Sequence, residues 1–113
     1  MDPPPLLVLC ASAIWCPACR TLAPHFEEAA AAVKEVSFVK FDVDDDVVVA
    51  ENLGIEVMPS MLFLVDGEVK HRLEGAFPAA DIVRSCEEIF EISSEGGAVG
   101  LLSDEDLGGS ICT

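Results

Sequence analysis

Residues 6–13 form a near-continuous apolar run, and the chain passes from it straight into Trp15-Cys16-Pro17-Ala18-Cys19 and a helical pattern. That junction constrains the fold more than any other part of the chain. A short run that is apolar at almost every position reads as a strand buried on both faces, as the middle of a sheet requires. Pro17 suits the first turn of a helix, where its missing N–H costs nothing. Beyond it Leu22, Phe26, Ala29, Ala30 and Val33 recur at helical spacing towards residue 34, with Pro24 inside the helix and expected to kink it. Two cysteines three apart at such a helix start can reach one small patch of surface. The first sits where unpaired N–H groups and the positive end of the helix dipole stabilise a thiolate. The second lies one turn on, within reach of a mixed disulfide formed on the first.

The rest of the chain supplies the remaining elements. Residues 36–43 read as a second strand, in which Val36, Phe38 and Lys40 alternate with Ser37, Val39 and Phe41. Asp42-Val43-Asp44-Asp45-Asp46 makes an acidic loop whose later aspartates are expected to cap a short helix over 47–53, closed by Gly54. Residues 60–65 and 68–74 are two strands joined by Asp66-Gly67, a strong hairpin signal. Gly75 ends the second strand. Pro78 starts a last helix with Ile82, Cys86, Ile89 and Phe90 on its apolar face. The order β-α-β-α-β-β-α, with short connections, leaves few arrangements. The simplest is an α/β fold with a central four-stranded mixed sheet. Its first strand is parallel to the second and antiparallel to the hairpin strand beside it, and helices lie on both faces. This domain spans residues 1–92. Residues 93–113 hold five of the eight glycines, four acidic residues and no basic one, and read as a flexible acidic tail.

Charge and cysteine count narrow the function. With 21 acidic residues against six basic ones and a formal net charge of −15, the surface repels phosphate backbones, so nucleic acid is not an expected partner. No apolar run approaches the length of a membrane span. Five cysteines (Cys10, Cys16, Cys19, Cys86 and Cys112) are an odd number, which argues against a disulfide framework; one CxxC beside a βαβ pattern reads instead as a redox site in a reducing compartment. Ala11-Ser12-Ala13 has the look of a signal-peptidase site. The segment before it carries Asp2 and no Lys or Arg, and its apolar run is short, so a cytoplasmic protein is expected. A zinc site would need two further ligands near Cys16 and Cys19, and neither Cys86 and Cys112 nor His25 and His71 have ligand spacing; no metal is expected. The aspartate loop lacks the turn glycine and distal glutamate of a calcium loop.

The motifs, taken together, resemble the thioredoxin family. The likeness runs from about Leu6 to Phe90. It rests on Trp15-Cys16-Pro17-Ala18-Cys19 with Arg20 following, on Pro24, on Asp44 after the second strand, on Met58-Pro59-Ser60, and on Gly67 and Gly75 around the terminal hairpin. The resemblance implies a minimal thioredoxin fold and a cis Met58–Pro59 bond facing the CxxC loop. It implies Cys16 as nucleophile and Cys19 as resolving thiol, closing a redox-active Cys16–Cys19 disulfide with no other cofactor. Trp15, Pro17, Ala18, Met58 and Pro59 would form the surface that meets substrate, the residue before the cis proline pairing with an extended chain as a strand does. Three departures are visible. Too few residues precede Leu6 for the family's opening strand and helix, which leaves the strand over 36–43 as an exposed edge. Cys10 stands where many relatives have a buried aspartate that helps deprotonate the resolving cysteine, while its usual neighbour Lys40 remains. Pro-Ala between the cysteines resembles glutaredoxins or tryparedoxins more than the common Gly-Pro.

The expected function is a dithiol–disulfide oxidoreductase, a protein-disulfide reductase. It takes disulfide-containing proteins as substrates, is re-reduced by an upstream reductase or a low-molecular-weight thiol, and is a monomer or weak dimer. Two alternatives stand beside it. One is a non-catalytic binding module on the same fold. The other is a glutathione-linked, glutaredoxin-like protein, including a dimer holding an iron–sulfur cluster on thiolates. Cys10 and Lys40 are supporting residues: a third thiol able to trap Cys19, and a cation favouring the ionised thiols. Cys86 reads as core, and Cys112 as a tail thiol able to pair between chains.

Overall fold

The computed structural model describes residues 4–92. The elements are β1 (Leu6–Ser12), α1 (Pro17–Ala32), β2 (Ser37–Asp42), α2 (Val47–Asn52), β3 (Ser60–Val65), β4 (Glu68–Glu74) and α3 (Ala79–Phe90), in the expected order. They form one sheet with strand order β2-β1-β3-β4. β1 pairs parallel with β2, and the β1–β3 and β3–β4 pairs are antiparallel. The apolar run therefore sits between two neighbours, as its composition requires. β2 pairs with β1 alone, so among the described residues its outer edge is free.

The pleat sends alternate residues of each strand to opposite faces. Val8 and Cys10 of β1, with Met61 and Phe63 of β3, face α1 and α3 and form the main core. α1 contributes Leu22, Phe26, Ala29 and Val33 at helical spacing, and α3 contributes Ile82, Val83, Cys86 and Phe90. Aromatic rings link the layers: Phe26 stands edge-on to Phe38 at 5.3 Å, and Phe63 lies 6.0 Å from Phe90. The opposite face is thinner. α2 has no buried residue. Its C-terminal end is tied to the sheet by Arg72 of β4, which donates to the carbonyls of Leu53 (2.7 Å) and Gly54 (3.1 Å).

Local details refine the expected boundaries. α1 stops at Ala32 because Val33 leaves the helical dihedrals (φ −122°, ψ 81°), although its N–H still donates to the Ala29 carbonyl as the last helical bond. Val36 is buried in the core but closes a turn onto Val33, so the ladder of β2 begins at Ser37. Pro24 lies within α1 without ending it. Asp46 is the N-cap of α2, yet its side chain makes no capping bond, contrary to the expectation from sequence; Asp42 Oδ1 instead accepts the Asp44 N–H. Gly54 follows α2 with φ +67°, the left-handed step that ends a helix. Asp66 and Gly67 both have positive φ, as a two-residue hairpin turn requires. The register shifts between Phe63 and Leu64, whose partners are His71 and Val69, so Lys70 has no partner across the ladder. Among the described residues no helix is long and apolar enough to cross a membrane. The acidic tail and Cys112 lie outside the described residues.

Candidate active site

The site is built where β1 hands over to α1. Ala13 follows the strand, and its carbonyl accepts the Cys16 N–H at 3.2 Å, folding the chain into the helix. Cys16 is then the N-cap of α1, with extended backbone (φ −98°, ψ 111°), and Pro17 takes the first helical position. The Cys16 sulfur does what a capping oxygen does elsewhere: it accepts the Cys19 N–H at 3.2 Å. No carboxylate occupies the first turn of α1, so no fixed negative charge competes at that helix end. The CxxC spacing puts both sulfur atoms on one end of one helix, where Ala13, Cys16 and Cys19 form a small buried cluster backed by Val43 and Met58. Exposure is 5% for Cys16 and 8% for Cys19, whereas Pro17 and Ala18 between them are exposed.

A second segment closes over this cluster. The Met58–Pro59 peptide is cis. The Met58 carbonyl lies 4.0 Å from Cys16 Sγ, which donates to it. Two bonds hold the turn: the Gly75 N–H donates to the Pro59 carbonyl at 2.8 Å, and the Ser60 hydroxyl donates to the Val57 carbonyl. Gly75 has φ +117°, a conformation an L side chain rarely adopts, so the residue ending β4 also fixes the cis-proline loop.

Trp15 stands outside the cluster. Its ring is 59% exposed, and Nε1–H donates to Asp44 Oδ2 at 2.7 Å. It lies on the rim beside Ile14, which is 82% exposed. Arg20 donates to the Ile14 carbonyl at 3.0 Å and steadies the same rim. In the sequence Asp44 reads as part of an acidic loop and Gly75 as the end of a strand, and nothing in their local patterns announces either contact.

Lys40 and Cys10 are direct partners in the β1–β2 register. Both line a cavity that also reaches Cys19. Burial pushes the Cys19 thiol up to about 11, helped by its S–H bond to Cys16, with the Ala13 backbone and the Arg20 charge opposing. Burial likewise pushes Cys10 up to about 12, the neighbouring Cys19 adding and Lys40 opposing. Cys86 lies apart, fully buried in the main core, and is raised to about 12 by burial. His71 packs its ring against Phe63 at 5.5 Å and is not near the cysteine pair's cluster. The residues brought together are thus Cys16, Cys19, Met58 and Pro59, with Trp15 at the rim and Cys10 and Lys40 behind.

Comparison with known proteins follows this geometry. The profile of the thioredoxin family matches residues 2–88. The chain is 41% identical over 71 residues to thioredoxin H3 of Arabidopsis thaliana, covering 63% of this chain and 60% of that protein. It is 41% identical over 71 residues to an H-type thioredoxin of Fagopyrum esculentum, covering 63% and 61%. The matched segment thus spans about three fifths of these relatives' length. Among solved structures it resembles a thioredoxin from Nicotiana alata, with TM-score 0.71, 30% identity and coverage of 77% of this chain and 75% of that one. A thioredoxin from Fasciola hepatica gives TM-score 0.70, 31% identity and coverage of 76% and 82%. With the four-stranded sheet, the paired cysteines at a helix start and the cis proline facing them, these matches place the chain in the thioredoxin family.

Proposed function

We propose that the protein reduces disulfides in other proteins through Cys16 and Cys19. The observation that carries this reading is two free cysteines gathered at one helix N-terminus, Cys16 Sγ accepting the Cys19 N–H at 3.2 Å while facing the Met58 carbonyl. Cys16, as thiolate, attacks one sulfur of a substrate disulfide. A Cys16–substrate disulfide forms, and the other substrate sulfur leaves as thiolate and takes a proton. Cys19, once deprotonated, attacks Cys16 Sγ. The Cys16–Cys19 bond forms, the second substrate thiolate leaves, and two electrons have passed to the substrate. The Met58 backbone, beside Cys16 and before the cis proline, suits an extended segment next to the cystine. Pro17, Ala18 and the Trp15 ring would border that segment. Re-reduction falls to an upstream reductase or a small thiol, and the expected setting is the cytoplasm, with the chain a monomer or weak dimer.

A second reading, a non-catalytic module binding partners through the same surface, draws support from the raised Cys19 thiol, which slows the resolving step. Turnover of insulin disulfides with dithiothreitol separates the two. Wild type is expected to accelerate reduction and Cys16→Ser to abolish the acceleration; equal rates would leave the binding module as the better account.

A further inference from the structure

We infer that the cavity behind Cys19 is a binding site for a compact carboxylate with a ring-sized apolar body, a site beyond the disulfide chemistry proposed above. The cavity measures about 190 Å³ and lies at the C-terminal ends of the parallel strands β1 and β2, against α1. Such strand ends are where open α/β sheets take ligands. The register explains why there is room. Cys10 pairs with Lys40 and Ser12 with Asp42, so these four side chains share the face towards α1. Both β1 contributions are small, and α1 answers with Ala23 beside Leu22 and Phe26. The result is an apolar floor with polar groups on one side.

The charges give the ligand its sign. The chain has only six basic residues against 21 acidic ones, and two of the six, Arg20 and Lys40, line this cavity. Lys70, Arg72 and Arg84 each have a carboxylate within 4 Å: Glu68, Glu74 and Asp81. Arg20 and Lys40 have none among the described residues. In so acidic a chain, two cations without carboxylate partners at one cavity form a place for an anion. Asp42 also lines the cavity, but its Oδ1 already accepts the Asp44 N–H at 2.8 Å, and the Ser12 hydroxyl reaches the Phe41 carbonyl only at 3.5 Å. A monoanion suits that company better than a multiply charged group, and the Arg20 guanidinium, whose Nη1 donates to the Ile14 carbonyl at 3.0 Å, keeps further N–H groups for a carboxylate. A cavity of about 150 Å³ lined by apolar side chains takes up benzene, so this one has the size for a ring bearing one carboxylate.

Benzoate is the probe, with benzyl alcohol and benzylamine as neutral and cationic analogues, titrated into the ¹⁵N-labelled full chain. Benzoate is expected to shift the amides of Ser12, Ala13 and Ala23 saturably and to bind at least tenfold more tightly than either analogue. Lys40→Gln, a change at an exposed side chain, is expected to weaken benzoate about tenfold, the scale of one charged hydrogen bond. Ser12→Leu fills the cavity and is expected to remove the shifts while the remaining spectrum stays dispersed. Absence of saturable shifts up to the solubility limit, equal binding of benzylamine, or binding that survives in Ser12→Leu overturns the proposal. So does a Lys40→Gln variant that alters the alkylation of Cys19 while wild type binds no benzoate, since the cations then serve only the thiol.

Discussion

Four of the cysteines are buried, yet they occupy two very different clusters. Cys10 and Cys86 belong to the main core, among side chains from β1, β3, α1 and α3. Cys16 and Cys19 belong to a cluster of three buried residues beyond the C-terminal end of the central strand β1, with Ala13 as the third. In the large core Cys86 packs among apolar side chains and behaves as a small hydrophobe. In the small cluster, backbone groups converge on sulfur: the Cys19 N–H on Cys16 Sγ, and Cys16 on the Met58 carbonyl. Burial alone therefore does not set the pair proposed for redox chemistry apart. What does is burial combined with polar backbone at a helix start, and that combination is local to the CxxC turn.

The contrast is broken most severely by removing a sulfur from the small cluster. Cys19→Ser is expected to leave the first attack intact and block the second, so a mixed disulfide with substrate accumulates and turnover falls by about 100-fold or more, as loss of a covalent step does. Non-reducing electrophoresis with a disulfide substrate reads the trapped species. A variant that turns over normally and traps nothing would contradict the assignment of the two roles.

The large core is tested by volume. Phe63 is fully buried between Phe90 and His71, and Phe63→Ala is expected to cost about 3–5 kcal/mol. Val48 on α2 is 68% exposed, and Val48→Ala is expected to change stability by less than about 0.5 kcal/mol. Urea unfolding of both variants checks the pair; comparable losses would mean that α2 is covered by something outside the described residues.

pH sharpens the comparison. Burial raises Cys10 and Cys86 from 9.0 to about 12 in the folded chain. The unfolded chain then releases these protons first as pH rises, so their contribution to stability is whole below about pH 9 and is lost progressively from there towards 12. At pH 10 the expected loss is about 1–2 kcal/mol for each thiol, or about 3 kcal/mol for the two together. Chemical denaturation at pH 8, 9 and 10 of wild type and of Cys10→Ala/Cys86→Ala measures it; a double variant losing as much as wild type over that range would refute the account. Cys19, raised to about 11, predicts a kinetic counterpart: its alkylation in the intact dithiol protein accelerates with pH up to at least 10, without an early plateau.

Much of this was legible in the residues. The apolar run, the Pro17 helix start and the Asp66-Gly67 turn fixed β1, α1 and the hairpin because each depends on a local rule of period or φ. β3 and β4 match the expected bounds residue for residue. The cysteine pair was legible for the same reason, since three positions along one helix turn is a local distance. What was not legible depends on register between segments far apart in sequence. The Cys10–Lys40 pairing, the Gly75 bond to Pro59, and the cavity between β1, β2 and α1 arise only once the strands are aligned. The failed cap at Asp46 is of this kind too: the loop spends an aspartate on its own turn, at Asp42, and leaves the helix uncapped.

The Trp15–Asp44 bond gives the smallest effect and tests whether the rim is part of the small cluster or merely beside it. The pair joins the CxxC loop to the loop after β2 across 29 residues of sequence, at 2.7 Å. Both partners are exposed, so water replaces the contact at little cost, and Asp44→Ala is expected to lower stability by about 0.5–1 kcal/mol at most. If the bond holds the indole in place for substrate, its loss frees the ring: the Trp15 fluorescence anisotropy falls, and the apparent KM for insulin rises a few-fold while kcat is unchanged. Asp44→Asn keeps an oxygen acceptor at the same reach and should restore most of the effect. A fall in kcat with KM unchanged would instead place Asp44 in the chemistry of the thiols, and would join the rim to the cluster it borders.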